Sequence, residues 1–152
     1  MMKLLCDEML KGLARWLRTA GHDVAMEPDG TADRRLIERA MAEERLLLTR
    51  DRSLLEIRGA QKVVLLLASN DLESSVRELT GRLGIDWLHQ PFSRCSLCNT
   101  PLVAVERPAD LPSDIVRAWF CTTCGKYYWR GGHVDRMRHR LQRWQGMPGG
   151  ES

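Results

Sequence analysis

No apolar run in this chain is long enough to cross a bilayer. The longest spans residues 63–68, far short of the roughly 20 that a membrane helix needs. The N-terminal apolar run stops at Asp7 and Glu8, before the core of a secretory leader could form. Internal repeats and low-complexity tracts are absent too, which sets aside solenoids and disordered linkers. No serine or histidine sits in a recognisable triad context, so covalent hydrolase chemistry has no candidate nucleophile. What is present suffices for a folded protein: 152 residues, 43% of them apolar, allow one ordinary domain and a small satellite.

Cysteine is scarce but arranged. Arg94-Cys95-Ser96-Leu97-Cys98-Asn99 and Phe120-Cys121-Thr122-Thr123-Cys124-Gly125 each hold two thiols with a two-residue gap, and 22 residues separate the pairs. That gap lets both thiolates of one turn reach a single ion, and Zn²⁺ takes four such ligands in a tetrahedron. The spacing predicts the two knuckles of a zinc ribbon, with a structural role, because four cysteines leave no open coordination position. Two disulfides or a redox motif are the weaker alternatives: nothing here looks secreted, and two adjacent redox motifs would be odd. Reduced, metal-binding thiols and the missing leader give a cytoplasmic expectation. Cys6 lies in an apolar run and reads as a buried small hydrophobe.

The net charge of +3 is unevenly spread. Residues 1–90 carry 14 Lys or Arg against 15 Asp or Glu, and residues 91–152 carry 9 against 5. Lys126, Arg130, Arg136, Arg138, Arg140 and Arg143 face only Asp135 in their stretch, an electrostatic footprint for a polyanion.

Periodicity predicts alternating strands and helices. Strands are expected at 3–6, 22–24, 46–49 and 62–69. One helix places Leu10, Leu13, Ala14 and Leu17 inward and closes at Gly21. A second starts near Asp33 with Leu36, Ile37, Ala40 and Met41 inward. A short helix over 52–58 follows, and a further one lined by Leu72, Val76, Leu79 and Leu83 ends at Gly84. This alternation predicts an α/β fold with a parallel sheet flanked by helices over 1–90. A ribbon and a basic terminal helix, with Val134, Met137, Leu141 and Trp144 inward, are expected over 91–146, and a flexible tail over 147–152.

In a parallel sheet, ligands sit beyond the carboxyl ends of the strands. Asp7 and Asp51 should both stand there, and Asp33, opening a helix, can point to the same edge. Three converging carboxylates repel by roughly 3 kcal/mol per pair at about 5 Å and an effective dielectric near 20, so such a cluster calls for a cation or a shared proton. Oxygen ligands favour Mg²⁺ or Mn²⁺, which activate water and stabilise a leaving oxygen in phosphodiester hydrolysis. Each acid also has a plainer reading: Asp33 and Asp51 as helix caps, Asp7 and Glu8 as first-turn acids.

The ordered set Asp7-Glu8-Met9-Leu10, Leu13-Ala14-Arg15-Trp16-Leu17-Arg18, Asp33-Arg34-Arg35-Leu36-Ile37, Leu47-Leu48-Thr49-Arg50-Asp51, the two cysteine turns and Tyr128-Trp129-Arg130-Gly131-Gly132-His133 resembles the Mut-seven C-terminal RNase family, from Lys3 to about Leu141. The resemblance implies a PIN-like nuclease domain followed by a zinc ribbon. It implies a metal-dependent ribonuclease using Asp7, Asp33 and Asp51, and products with 5′-phosphate and 3′-hydroxyl ends. One departure stands out: larger PIN domains carry a further helical glutamate, and 21–32 is too short to hold that helix. Glu8 or Asp71 could take its place.

Phosphates that carboxylates repel need cations. Arg15 and Arg18 on the first helix and Arg50 and Arg52 flanking Asp51 are the candidates, since the guanidinium fork takes two phosphate oxygens at once. In the ribbon, Tyr128 and Trp129 with Tyr127, beside Lys126 and Arg130, combine base stacking with backbone grip; alternation predicts some of these aromatics inward and at least one outward. His133 is a candidate phosphate contact or, less favoured beside four cysteines, an extra zinc ligand, while His22, His89 and His139 are expected at the surface. RNA is the expected partner, no membrane is, and the oligomeric state stays open. The rival reading is a non-catalytic RNA-binding or RNP-assembly module whose acids are caps; a third is a protein-interaction adaptor built on the zinc module.

Overall fold

The computed structural model describes residues 2–147. Four parallel strands form the main sheet: β1 (Lys3–Cys6), β2 (Asp23–Met26), β3 (Leu46–Thr49) and β4 (Val64–Leu66), in the order β2-β1-β3-β4. The register pairs Leu5 with Ala25 on one side and with Leu47 on the other. Helices α1 (Lys11–Thr19), α2 (Asp33–Glu43) and α3 (Leu72–Leu83) connect or follow the strands, and short 3-10 helices occupy Glu8–Leu10, Arg52–Glu56 and Ala60–Lys62. Side chains alternate across the sheet as the pleat requires. Leu4, Cys6, Val24 and Leu48 pack on α1 and α3, whereas Leu5, Ala25 and Leu47 pack on α2.

Expectation and structure differ in places with physical reasons. Strand β2 runs on to Met26, two residues beyond the expected end. Strand β4 is much shorter than 62–69, because the Ala68 and Ser69 N–H groups turn away to the Glu78 carboxylate. Met41, expected inward, is half exposed at the end of α2. His22, expected at the surface, is buried, with Nε2 2.8 Å from the Asp86 carbonyl and its ring stacked on His89.

Residues 103–129 form a second, antiparallel sheet of β5 (Val103–Val105), β6 (Ala118–Phe120) and β7 (Tyr127–Trp129). The final helix α4 (Gly132–Gln145) then returns to the first layer. Leu141 and Trp144 are fully buried with α1 and α3, and the Trp144 ring meets Trp16 and Trp87 edge-on at 4.9 and 5.1 Å. Glu73 on α3 accepts from Trp144 Nε1 and from Arg140 and Arg143. The basic helix is therefore partly neutralised by the layer on which it docks. Among the described residues no helix is long and apolar enough to cross a membrane. Of the expected flexible tail, 148–152 lie outside the described residues.

Candidate active site and metal centre

The chain places β2 on one side of β1 and then crosses to place β3 on the other, so the order reverses between β1 and β3. Asp7 follows β1 and Asp51 follows β3, which puts them at the crevice where doubly wound sheets bind ligands. A pocket of about 150 Å³ opens there, lined by Asp7, Glu8, Glu27, Asp33 and Asp51 above Cys6, Leu36 and Leu54.

Each acid is held differently. Asp7 is buried; one oxygen accepts from Met9 N at 3.0 Å, and the other accepts from the Thr49 hydroxyl. Asp51 is exposed and caps the following 3-10 helix by accepting from Ser53 N and Ser53 Oγ; these bonds, side chain first, hold its carboxyl below the usual aspartate range. Asp33 is no cap: Ala32 holds that position, and α2 has no side-chain cap bond. Burial, then the charges of Asp51 and Asp7, hold the Asp33 carboxyl above its ordinary value. Three carboxylates lining one pocket, with Asp33 feeling the charges of the other two and having no structural duty, suit an all-oxygen cation site. The acids share the pocket without closing on a point; among the described residues only the cysteines form a group whose ligand atoms all lie within 4.8 Å of one another.

Thr49 ties the site together and has no sequence signature beyond its place before Arg50-Asp51. It is fully buried, donates to Asp7 and accepts from Asp51 N at 3.0 Å, coupling the ends of β1 and β3. Glu27 is a second residue that sequence reasoning missed. Ending β2 at Val24 left Glu27 without an assigned element, whereas the longer strand delivers it to the pocket, with Arg39 at 3.6 Å. Of the two acids expected to complete the set, Glu8 lines the pocket and accepts from Gly30 N. Asp71 does not line it; it caps α3 through Ser74. Burial pushes the Cys6 thiol up to about 12, partly offset by Arg18 and reinforced by Asp7, so Cys6 stays protonated and is no nucleophile.

The arginines divide. Arg15 and Arg52 are exposed and have no ion-pair partner among the described residues. Arg50 is turned to the β4–α3 connection, donating to Ser69 O at 2.6 Å and Ser75 Oγ at 3.2 Å. Arg18, expected to hold phosphate, is buried and committed elsewhere: Nε donates to Val24 O at 2.8 Å, and one terminal nitrogen donates to Ser96 O and Leu97 O at 3.2 and 3.1 Å. Its position beside Leu17 turns it to the inner side of α1, where it joins the sheet to the first cysteine turn.

The cysteine turns match each other. Asn99 and Gly125 sit at positive φ of 77° and 71° and donate back to Cys95 O and Cys121 O, while Cys95 N and Cys121 N donate to Thr100 O and Lys126 O. The Sγ separations are 3.8 Å for Cys95–Cys124 and 3.4 Å for Cys98–Cys121. A tetrahedron with Zn–S near 2.3 Å has edges of about 3.8 Å, so the quartet fits zinc. The Tyr128 hydroxyl lies 3.1 Å from Cys95 Sγ, and Cys124 N donates to Cys121 Sγ at 3.3 Å. Asn99 also docks this cluster on the sheet, accepting from Val24 N and donating to Asp23, which covers the free edge of β2. Along β7, Tyr127 and Trp129 are exposed and Tyr128 is half-buried, the alternation expected; Lys126 and Arg130 are exposed, Arg130 lying 3.6 Å from Asp135.

Over 101 residues, 64% of this chain, the sequence is 33% identical to the Exonuclease mut-7 homolog of Homo sapiens, and it spans 12% of that protein's length. No solved structure matches the chain. The model of the Mut7-C RNAse domain matches residues 2–141, a stretch that includes both the acidic pocket and the cysteine quartet. These matches support a nuclease-type function, and by the extent of the second the chain belongs to the Mut7-C RNAse domain family.

Proposed function

We propose that the protein is a metal-dependent ribonuclease of the cytoplasm, with residues 1–90 carrying the chemistry and the zinc ribbon and helix of 91–146 helping to hold RNA. Asp7, Asp33 and Asp51 would hold Mg²⁺ or Mn²⁺, with Glu8 and Glu27 at the rim. The observation that carries this reading is Asp33: it has no capping role, faces the same pocket as Asp7 and Asp51, and has its carboxyl raised by burial and by their charges. A bound divalent ion would supply Lewis-acid activation of water and neutralise charge on the phosphate.

The chain's own residues set the geometry. Thr49 fixes the Asp7 carboxylate against the backbone of Asp51, so the two acids keep their spacing. Arg15 and Arg52, exposed and free of ion pairs among the described residues, would be the cations that take phosphate oxygens. Hydrolysis adds the oxygen of water to phosphorus and breaks the bond to the 3′ oxygen, which takes up a proton. The products then carry 5′-phosphate and 3′-hydroxyl ends.

The capping bonds of Asp7 and Asp51 favour a second reading, a non-catalytic RNA-binding module. Melting of the zinc-loaded protein separates the two. As a nuclease site, the pocket gives a melting temperature that rises with millimolar Mn²⁺, a rise abolished by Asp51→Asn, which keeps the cap and removes the charge. No rise in the wild type would favour the second reading.

A further inference from the structure

A cleft of about 370 Å³ lies between the ribbon, the chain entering it and the first half of α4, in the size range of small-ligand sites. Trp119 of β6, Tyr128 and Trp129 of β7, Phe92 and Met137 line it. Its charged lining residues are all arginines, Arg94, Arg130 and Arg138, with His133 beside them and no carboxylate in the lining.

Two features mark it as more than a gap in packing. The Arg138 guanidinium lies 4.9 Å from the Phe92 ring centroid, and its buried Nε makes no hydrogen bond among the described residues. Trp129, 38% exposed, presents an indole whose Nε1 donates to no group among the described residues. Flat aromatic faces with arginines and no negative charge suit a ligand with flat apolar rings and anionic links.

We propose that this cleft is a stacking subsite for unpaired nucleotides of single-stranded RNA, separate from the acidic pocket. Every base offers a π-face to an aromatic side chain, whereas a duplex hides those faces within its stack. Thr19 lines the cleft and Met9, just before α1, lines the acidic pocket, so the two sites flank opposite ends of that helix, which is about 12 Å long. Arg15, exposed, lies midway on that helix. A strand gripped in the cleft would thus be held a few nucleotides from the acids. This orientation rests on the ribonuclease reading; the binding itself does not.

The test uses the full zinc-loaded chain carrying Asp51→Asn, without Mn²⁺, and a labelled single-stranded RNA of about twelve nucleotides, within known site sizes. A blunt duplex of the same sequence is the control. Trp129→Ala and Arg138→Gln should each weaken single-strand binding roughly ten-fold, and Trp129→Phe, which keeps a stacking ring, should stay within about three-fold of the parent. Duplex binding should be weaker and indifferent to Trp129. Single-strand affinity no greater than duplex affinity, or both truncating variants within about two-fold of the parent, would overturn the subsite. Arg138→Gln keeps the proposal testable should Trp129→Ala fold poorly. Binding that depends on the cleft, in a wild type that never cleaves with Mn²⁺, would sink the ribonuclease reading and leave the subsite standing.

Discussion

Replacing Arg18 by methionine keeps most of the side chain's apolar stem and removes three hydrogen bonds: one to Val24 O on β2 and two to the Ser96 and Leu97 carbonyls of the first cysteine turn. Bonds from a charged donor contribute about 1.5 to 3 kcal/mol each, and a buried acceptor left unsatisfied costs about as much again as its desolvation. The Val24 bond is buried and counts in full, whereas water can reach the carbonyls of the turn and offset part of their loss. Methionine also relieves the cost of burying a guanidinium, which offsets part of these losses. The net loss is about 3 kcal/mol or more, and at roughly 2 to 4 °C per kcal/mol for a chain of this size it lowers the melting temperature by at least about 6 °C. Calorimetric melts of zinc-loaded protein at fixed free zinc measure it. Arg18→Lys should recover less than half, because one ammonium cannot reach carbonyls on both sides of the joint. If Arg18 were chiefly a phosphate ligand, Arg18→Met would leave the melt unchanged within about 2 °C and weaken only RNA binding; that result would refute the structural role assigned to it.

Four further outcomes follow from the same contacts. Thr49→Val should cost about 1 to 3 kcal/mol by denaturant titration, since it strands Asp51 N and removes a donor from Asp7, and it should reduce cleavage more than its stability loss accounts for. Because the Asp33 carboxyl is raised, the folded protein binds that proton more tightly than the unfolded chain, so Asp33's own contribution to metal-free stability should be lost as pH rises above about 4; relative to the wild type, metal-free Asp33→Asn should gain stability between acid and neutral pH. Gly21→Ala should destabilise by about 1 to 3 kcal/mol, as φ is 101° there and an added Cβ would clash with the Gln90 carbonyl. If the cysteine quartet holds a structural zinc, a site of the kind that contributes roughly 10 to 16 kcal/mol of apparent binding energy in zinc-finger peptides, its removal by a chelator with Mn²⁺ held constant should unfold the 91–130 segment and expose the β2 edge to hydrogen exchange at Val24, now covered by Asn99.

Local features were the legible ones. The bounds of β1, the start of α2 at Asp33, the end of α3 at Gly84 and the four cysteines depend on patterns a few residues long, and the structure matches each. Features set by distant neighbours were not. Arg18 looks like a phosphate ligand in a basic motif, but its partners lie up to 79 residues away. The reach of β2 to Met26 depends on pairing with β1, and without it Glu27 could not be placed at the pocket. Asp71 follows β4 as expected, yet Ser74 three residues on makes it a helix cap. The aromatic cleft draws on the ribbon, the entering chain and α4; the Tyr128-Trp129-Arg130 segment, His133 and Arg138 carried a signal in sequence, whereas Phe92, Arg94 and Trp119 carried none as its lining.

The central claim, that the acidic pocket is a nuclease centre, is tested most directly by cleavage of labelled single-stranded and structured RNAs, with Mn²⁺ present or omitted, by the wild type and by Asp51→Asn purified identically. The account predicts cleavage that requires both Mn²⁺ and Asp51 and leaves 5′-phosphate ends. RNA bound but left intact by the wild type in Mn²⁺, or cut equally well by Asp51→Asn, would contradict it.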